Sequence, residues 1–185
     1  MGQDKALIQR EGQPLLRHTC EVAQACAEEV LVVTPWGDRY QDIIPPGCRL
    51  VAEVESEPSN PEAPEATHGP LLGFAQGMVQ VRTEWALLLA CDLPRLDTVM
   101  LKGWVNRLGN VPATAIALLP RHAKGWEPLC GFYRQSCLPS LEQWIQRGGR
   151  SFQRWLAEEQ VEPLSVADPS VLFNCNTPED LDFLH

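Results

Sequence analysis

Residues 84–96 read EWALLLACDLPRL, and this stretch decides the fold. Trp85 to Cys91 is a continuous apolar run of strand length. Runs of that kind belong to strands covered on both faces, as in parallel sheets flanked by helices. Asp92 follows at once, and Pro94 prevents the strand from continuing. In open α/β sheets, ligands gather at the carboxyl ends of the strands. An acid placed there can hold a divalent cation over the crevice. The alternative is that Asp92 caps the next helix or turn. Asp97 and Thr98 already offer a cap for the helix expected over TVMLKGWVNRLG, residues 98–109.

Working outward, the segments on either side alternate in type. Residues 13–29, QPLLRHTCEVAQACAEE, repeat apolar side chains at three- and four-residue intervals, which predicts an amphipathic helix. EVLVVT (29–34) is a β-branched apolar run and CRLVAEV (48–54) a second strand candidate. A helix leading into a buried strand points to an α/β fold. ESEPSNPEAPEATHG (55–69) is rich in Pro and Glu and has no periodicity, so a long loop is expected. A turn at Gly69–Pro70 leads to a helix from about Leu71. Further strands are expected at ATAIALLP (113–120), EPLCGFYRQ (127–135) and VEPLSV (161–166). SLEQWIQRGGRSFQRWLAEE (140–159) predicts two helices broken at Gly148 and Gly149, with Ser151 capping the second. A last helix is expected after a Thr177 cap with Pro178 at its first position.

The 185 residues suit one domain, 1–185, with a sizeable core. Mean hydropathy is −0.18, and no apolar run approaches the ~18 residues that span a bilayer. A formal charge of −9 argues against non-specific nucleic-acid binding, which needs clustered Lys and Arg. It does not oppose one bound nucleotide, because a cation can carry the compensating charge. Seven cysteines, Cys20, Cys26, Cys48, Cys91, Cys130, Cys137 and Cys175, contain no C-x-x-C pair. They read as buried thiols in a reducing compartment. His18, His68, His122 and His185 show no metal-ligand spacing. Trp104, Trp144 and Trp155 fall in expected helices, where packing explains them. Trp126 lies in the loop RHAKGWEPLCG and is a candidate substrate contact.

Five short motifs appear in order along the chain: MG-x-DKA, GPLLG, ACDLP, EPLCGFY and FNCNTPEDL. Singly they are turns and strand ends. Together they resemble the molybdenum cofactor guanylyltransferases, nucleotidyltransferases of Rossmann-like fold, over essentially the whole chain. The resemblance implies a mostly parallel sheet with helices on both faces. It also implies a cytoplasmic, Mg²⁺-dependent enzyme that joins the GMP part of GTP to molybdopterin and releases pyrophosphate. Lys5 resembles the family's Lys that contacts the nucleotide phosphates, and Asp92 its Mg²⁺ ligand. Gly69 and Gly73 of GPLLG fall where backbone lies close to the nucleotide. Thr34 matches a position near the guanine. Glu53, with Glu55 as the alternative, falls near an acid that would accept hydrogen bonds from guanine and so select G over A. Asn174 and Asn176 resemble residues facing the molybdopterin side, although Asn before a capped helix is also ordinary turn chemistry. Molybdoenzyme chaperones or other cofactor-synthesis proteins are implied as partners, with neither nucleic acid nor membrane.

One departure stands against these matches. Relatives carry a strand and a Gly-rich loop, Leu-Ala-Gly-Gly-x-Ser-x-Arg, directly before Met-Gly-x-Asp-Lys. Here Met1 aligns inside that motif, so the first strand and the Gly-rich loop are missing. In-frame codons upstream of Met1 are expected to encode them. The same residues leave room for transfer of CMP or to a sugar phosphate, and for an inactive binding remnant.

Overall fold

The computed structural model describes residues 4–54, 69–123, 125–175 and 180. A 3-10 turn over Lys5–Leu7 opens it. A hairpin follows, with β1 (Gln9–Arg10) paired to β2 (Gln13–Pro14). Its bend uses left-handed backbone at Glu11 (φ 51°) and Gly12 (φ 80°). This hairpin was not expected, and it takes two residues from the first helix, α1 (Leu15–Gln24). The helix also stops short of residue 29, with Ala25 as its C-cap. Next come β3 (Val30–Thr34), a short α2 (Gly37–Tyr40) and β4 (Cys48–Ala52). Then α3 (Pro70–Gln80) begins with Pro70 in its first turn, where a missing N–H costs nothing. The remaining elements are β5 (Trp85–Leu89), α4 (Thr98–Val105), β6 (Ala117–His122), β7 (Gly125–Trp126), β8 (Cys130–Arg134), α5 (Leu138–Gln146), α6 (Phe152–Leu156) and β9 (Val161–Leu164).

The strand expected over 113–120 is shifted: Ala115 closes a turn on Pro112, and β6 runs on to His122 because it forms a hairpin with β7. The expected loop over 55–68 and the last helix with its Thr177 cap lie outside the described residues.

Two sheets result. Strands β3 and β4 pair in parallel. The larger sheet runs β5-β8-β6-β7, with β9 on the far side of β6. Because β5 and β6 are each antiparallel to β8, they share one direction, and β9 runs parallel to β6. Pro163 is tolerated in β9, an edge strand. Among the described residues, β3 pairs with β4 alone and β5 with β8 alone.

Side-chain alternation divides the larger sheet into two faces. Ala117, Leu119 and Tyr133 join Leu71, Phe74 and Met78 of α3, Leu141 of α5 and Trp155 of α6. Leu118, Cys130 and Phe132 point the other way, onto Leu101 and Trp104 of α4 and Val22 of α1. Helices therefore cover both faces. Helix α1 reaches across to β3 through Leu16 and Cys20, packed with Val30 and Val32. On the opposite face, Gly77 of α3 lies so close to Val33 that a Cβ there would fall 3.0 Å from its Cγ2.

Candidate active site

Two arms converge at the carboxyl end of β5. The first is the turn at Asp4–Leu7. Asp4 caps it, accepting from the Ala6 N–H at 3.2 Å. The other carboxylate oxygen of Asp4 accepts from Arg39 at 2.9 Å and from the Tyr40 hydroxyl at 2.8 Å. Burial, with this hydrogen bond to Asp4, pushes the Tyr40 phenol up to about 12. Lys5 is thus carried on a turn clamped to α2.

The second arm is the loop after β5. Asp97 caps α4 by accepting from the Met100 N–H at 2.8 Å, so Asp92 is not needed for that cap. The loop is tied down through its carbonyls. Thr19 donates to Cys91 O at 3.5 Å and the Cys175 N–H to Asp92 O at 2.8 Å. Burial first, and the Asp92 charge second, push the Cys91 thiol up to about 11. The Asp92 carboxylate meets Lys5 Nζ at 3.2 Å, with 15% of the Asp92 and 44% of the Lys5 side chain exposed. A pair this open to water contributes little to stability. Its value is that both charges are held ready at one point, one for an anion and one for a cation.

No group of three His, Cys, Asp or Glu among the described residues could hold a metal by itself. Asp92 fits a hard cation that takes one protein carboxylate and completes its shell with phosphate oxygens and water.

Beside these arms, the structure joins three of the other residues singled out from sequence. Thr34 ends β3 and is buried, its hydroxyl accepting from the Trp36 N–H at 3.1 Å. Its carbonyl accepts from the Glu53 N–H at 3.0 Å. The Glu53 carboxylate lies against Gly73 of α3, where a Cβ would sit 3.4 Å from it. A side chain as small as alanine would meet the acid at ordinary contact distance there. Gly69 is the N-cap of α3, and a Cβ there would make only ordinary contact, 3.8 Å from Arg150 O.

Asn174 precedes Cys175, whose N–H grips the Asp92 loop, so the structure brings this tail segment to the site. Asn176 and Glu55 lie outside the described residues. Trp126 is in the β6–β7 hairpin, its ring under Arg121 (4.9 Å to the ring centre) and its N–H donating to Gln153. It packs on the core face shared by α3, α5 and α6. A cleft of about 380 Å³ opens between the Asp92 loop, the end of β6 and the turn at 169–172. Arg95, His122 and Phe173 are among its lining residues.

The family model described as MobA-like NTP transferase domain matches residues 1–162. The chain belongs to the MobA-like NTP transferase family. A protein of Nostoc sp. named a probable molybdenum cofactor guanylyltransferase is 56% identical over 98% of this chain and 82% of that protein. A molybdenum cofactor guanylyltransferase of Pseudomonas putida is 32% identical over 96% and 86%. Among solved structures, the molybdopterin-guanine dinucleotide biosynthesis protein A of Archaeoglobus fulgidus superposes with a TM-score of 0.74. It is 19% identical, covering 98% of this chain and 89% of that one. The 2-C-methyl-D-erythritol 4-phosphate cytidylyltransferase of Thermus thermophilus reaches 0.67 at 14% identity, over 97% and 91%. At those identities the superpositions show the Rossmann-like α/β nucleotidyltransferase fold.

For a MobA-like transferase, sequence reasoning missed the clamp. Asp4 was visible inside MG-x-DKA, but its partners Arg39 and Tyr40 are 35 and 36 residues away. Arg95 and His122 carry no local signal, because a fold alone brings residues from two loops to one cleft.

Proposed function

We propose that the chain is one nucleotidyltransferase domain that transfers GMP from GTP to molybdopterin. The products are the guanine dinucleotide form of the cofactor and pyrophosphate. The observation that carries this reading is the Lys5–Asp92 pair at the carboxyl end of β5, in a chain of this family. The molybdopterin phosphate forms a bond to the α-phosphorus of GTP as the bond to the β-phosphate oxygen breaks. Both reactants are anionic, so alignment and charge neutralisation lower the barrier. Lys5 turns from Asp92 to the phosphates, and Asp92 holds Mg²⁺. When bound, Mg²⁺ offsets charge on the phosphates and the departing pyrophosphate.

Glu53 is the base-reading acid in this reading. Its backbone is fixed by Thr34, and its carboxylate lies against Gly73 of α3. The cleft lined by Arg95 and His122 supplies a guanidinium and an imidazole beside the Asp92 loop for the phosphate-bearing pterin, with Asn174 on the adjoining segment. Trp126 is a weaker candidate, since its contacts are to Arg121 and Gln153. No helix among the described residues is long and apolar enough to cross a membrane.

Pyrophosphate release is the deciding assay. The chain, supplied with GTP, Mg²⁺ and molybdopterin, should release it, and Asp92→Asn should abolish the release. Transfer from CTP at equal or better efficiency, or to a sugar phosphate in place of the pterin, would replace this reading with another nucleotidyl transfer.

A further inference from the structure

Arg10 and His18 stand behind the Lys5–Asp92 pair and touch the arms that carry it. Arg10 is on β1, in the same arm as Lys5. Its guanidinium donates to the carbonyl of Pro94, two residues beyond Asp92 in the second arm. The same nitrogen of Arg10 lies 2.9 Å from Nε2 of His18 on α1. That ring nitrogen is also 3.2 Å from the Leu96 carbonyl oxygen.

One ring nitrogen cannot accept from Arg10 and donate to Leu96 at once. The shorter contact, to a group that can only donate, assigns Nε2 as acceptor and places the ring proton on Nδ1. Burial and then the Arg10 charge hold His18 below its ordinary value, against the Leu96 carbonyl, Glu21 and Glu11, which favour the cation. Protonation would set two cations face to face and expel Arg10 from its seat.

The geometry matters most during turnover. In the resting protein the arms are joined at their tips by Lys5 and Asp92. A metal–nucleotide complex must break that tie, because it claims Asp92 for the metal and Lys5 for the phosphates. The Arg10 contact to Pro94 lies behind the tips and survives the exchange. We propose that Arg10, seated by a neutral His18, is a positioning residue that keeps the Lys5 and Asp92 arms in register when their ion pair opens to admit the metal–nucleotide. This rests on the reading of Asp92 as the metal ligand.

The test uses Mn²⁺ as a paramagnetic probe, with its binding in the presence of GTP followed by electron paramagnetic resonance. Arg10→Met should weaken Mn²⁺ affinity by about 10-fold, as losses behind a metal ligand commonly do. Arg10→Lys keeps the charge and a single nitrogen able to donate to both partners, on a shorter reach, so it should show a smaller loss. Wild type should lose affinity as His18 protonates, on the acid side of the ordinary imidazole value of about 6.5. His18→Gln retains an acceptor without a titrating group and should flatten that loss while matching wild type at neutral pH. The imidazole resonance of His18 should titrate below its ordinary value in wild type and move up in Arg10→Met. Wild-type Mn²⁺ affinity in both Arg10 variants, or an unchanged acid-side loss in His18→Gln, would overturn the proposal. Asp92→Asn separates the two readings. If it too binds Mn²⁺ normally, the Asp92 reading has failed and the proposal falls with it. If it alone is impaired, the Asp92 reading stands and the positioning role is wrong.

Discussion

At the scale of single residues, charge and reach decide the chemistry. Lys5 is a compact cation held beside Asp92 on a clamped turn, so in the proposed reaction it would meet the phosphates already oriented. Lys5→Met should lower the GMP-transfer rate by about 10²–10³, in the range seen when a preorganised electrostatic donor is removed. Steady-state kinetics would check this, with the fall expected in kcat rather than in KM alone. Glu53, as the proposed base-reading acid, would work through discrimination. Replacing it with Gln exchanges one acceptor oxygen for a donor that opposes the guanine N1–H and exocyclic amine. The preference for GTP over ATP should shrink by tenfold or more in competition assays, since losing a base-edge hydrogen bond leaves a polar group unpaired. An unchanged preference would remove Glu53 from the role.

At the scale of elements, close approach sets the limits. Gly131 of β8 lies between β5 and β6, and a Cβ there would fall 2.8 Å from the Leu118 carbonyl oxygen and 2.7 Å from Leu119. The glycine of EPLCGFY thus has a packing reason of its own. Gly131→Ala should destabilise the protein by about 1–3 kcal/mol through forced separation of β8 from β6. Urea unfolding would show this as a lower midpoint with an unchanged slope. The sheet's other element-scale feature is its divided form. Helix α1 on one face and α3 on the other both reach from the larger sheet to β3, and they hold the two sheets beside each other.

At the scale of the whole molecule, burial governs the response to pH. Cys20, Cys130 and Cys137 are pushed up to about 12, chiefly by burial, and Cys91 to about 11. In the unfolded chain these thiols ionise near pH 9. Between these values the unfolded state has lost protons that the folded state keeps. The stabilising contribution is therefore full below about pH 9 and declines as pH rises toward 12. Thermal melts should show Tm falling from about pH 9 upward. Replacing Cys137 with Ala should soften that slope. The same burial should keep these thiols inert to alkylating agents in the folded protein at neutral pH.

Much of this was legible without coordinates. Strands β3, β4 and β5 were marked by β-branched or continuous apolar runs, and Asp92 by its place after such a run and before Pro94. Lys5 and Glu53 were singled out through the family resemblance rather than by local spacing, and the structure sets Lys5 beside Asp92 and Glu53 beside Thr34. The hairpin at Gln9–Pro14 was not, because four paired residues make no periodic signal and Gly12 alone marks the bend. The start of β6 was misplaced because apolar alternation cannot tell a strand from the turn that feeds it, and β6 gains its last residues by pairing with β7.

The amino-acid sequence alone marked the α/β class, the main helices and strands in their order, and Asp92 at the crevice. Those follow from side-chain periodicity and from breakers acting within a few residues. Tertiary structure decided which distant partners surround the site's charges: Asp4 with Arg39 and Tyr40, Arg10 with His18 and Pro94. Such contacts depend on how the sheet sets its carboxyl ends side by side, and no local spacing encodes that.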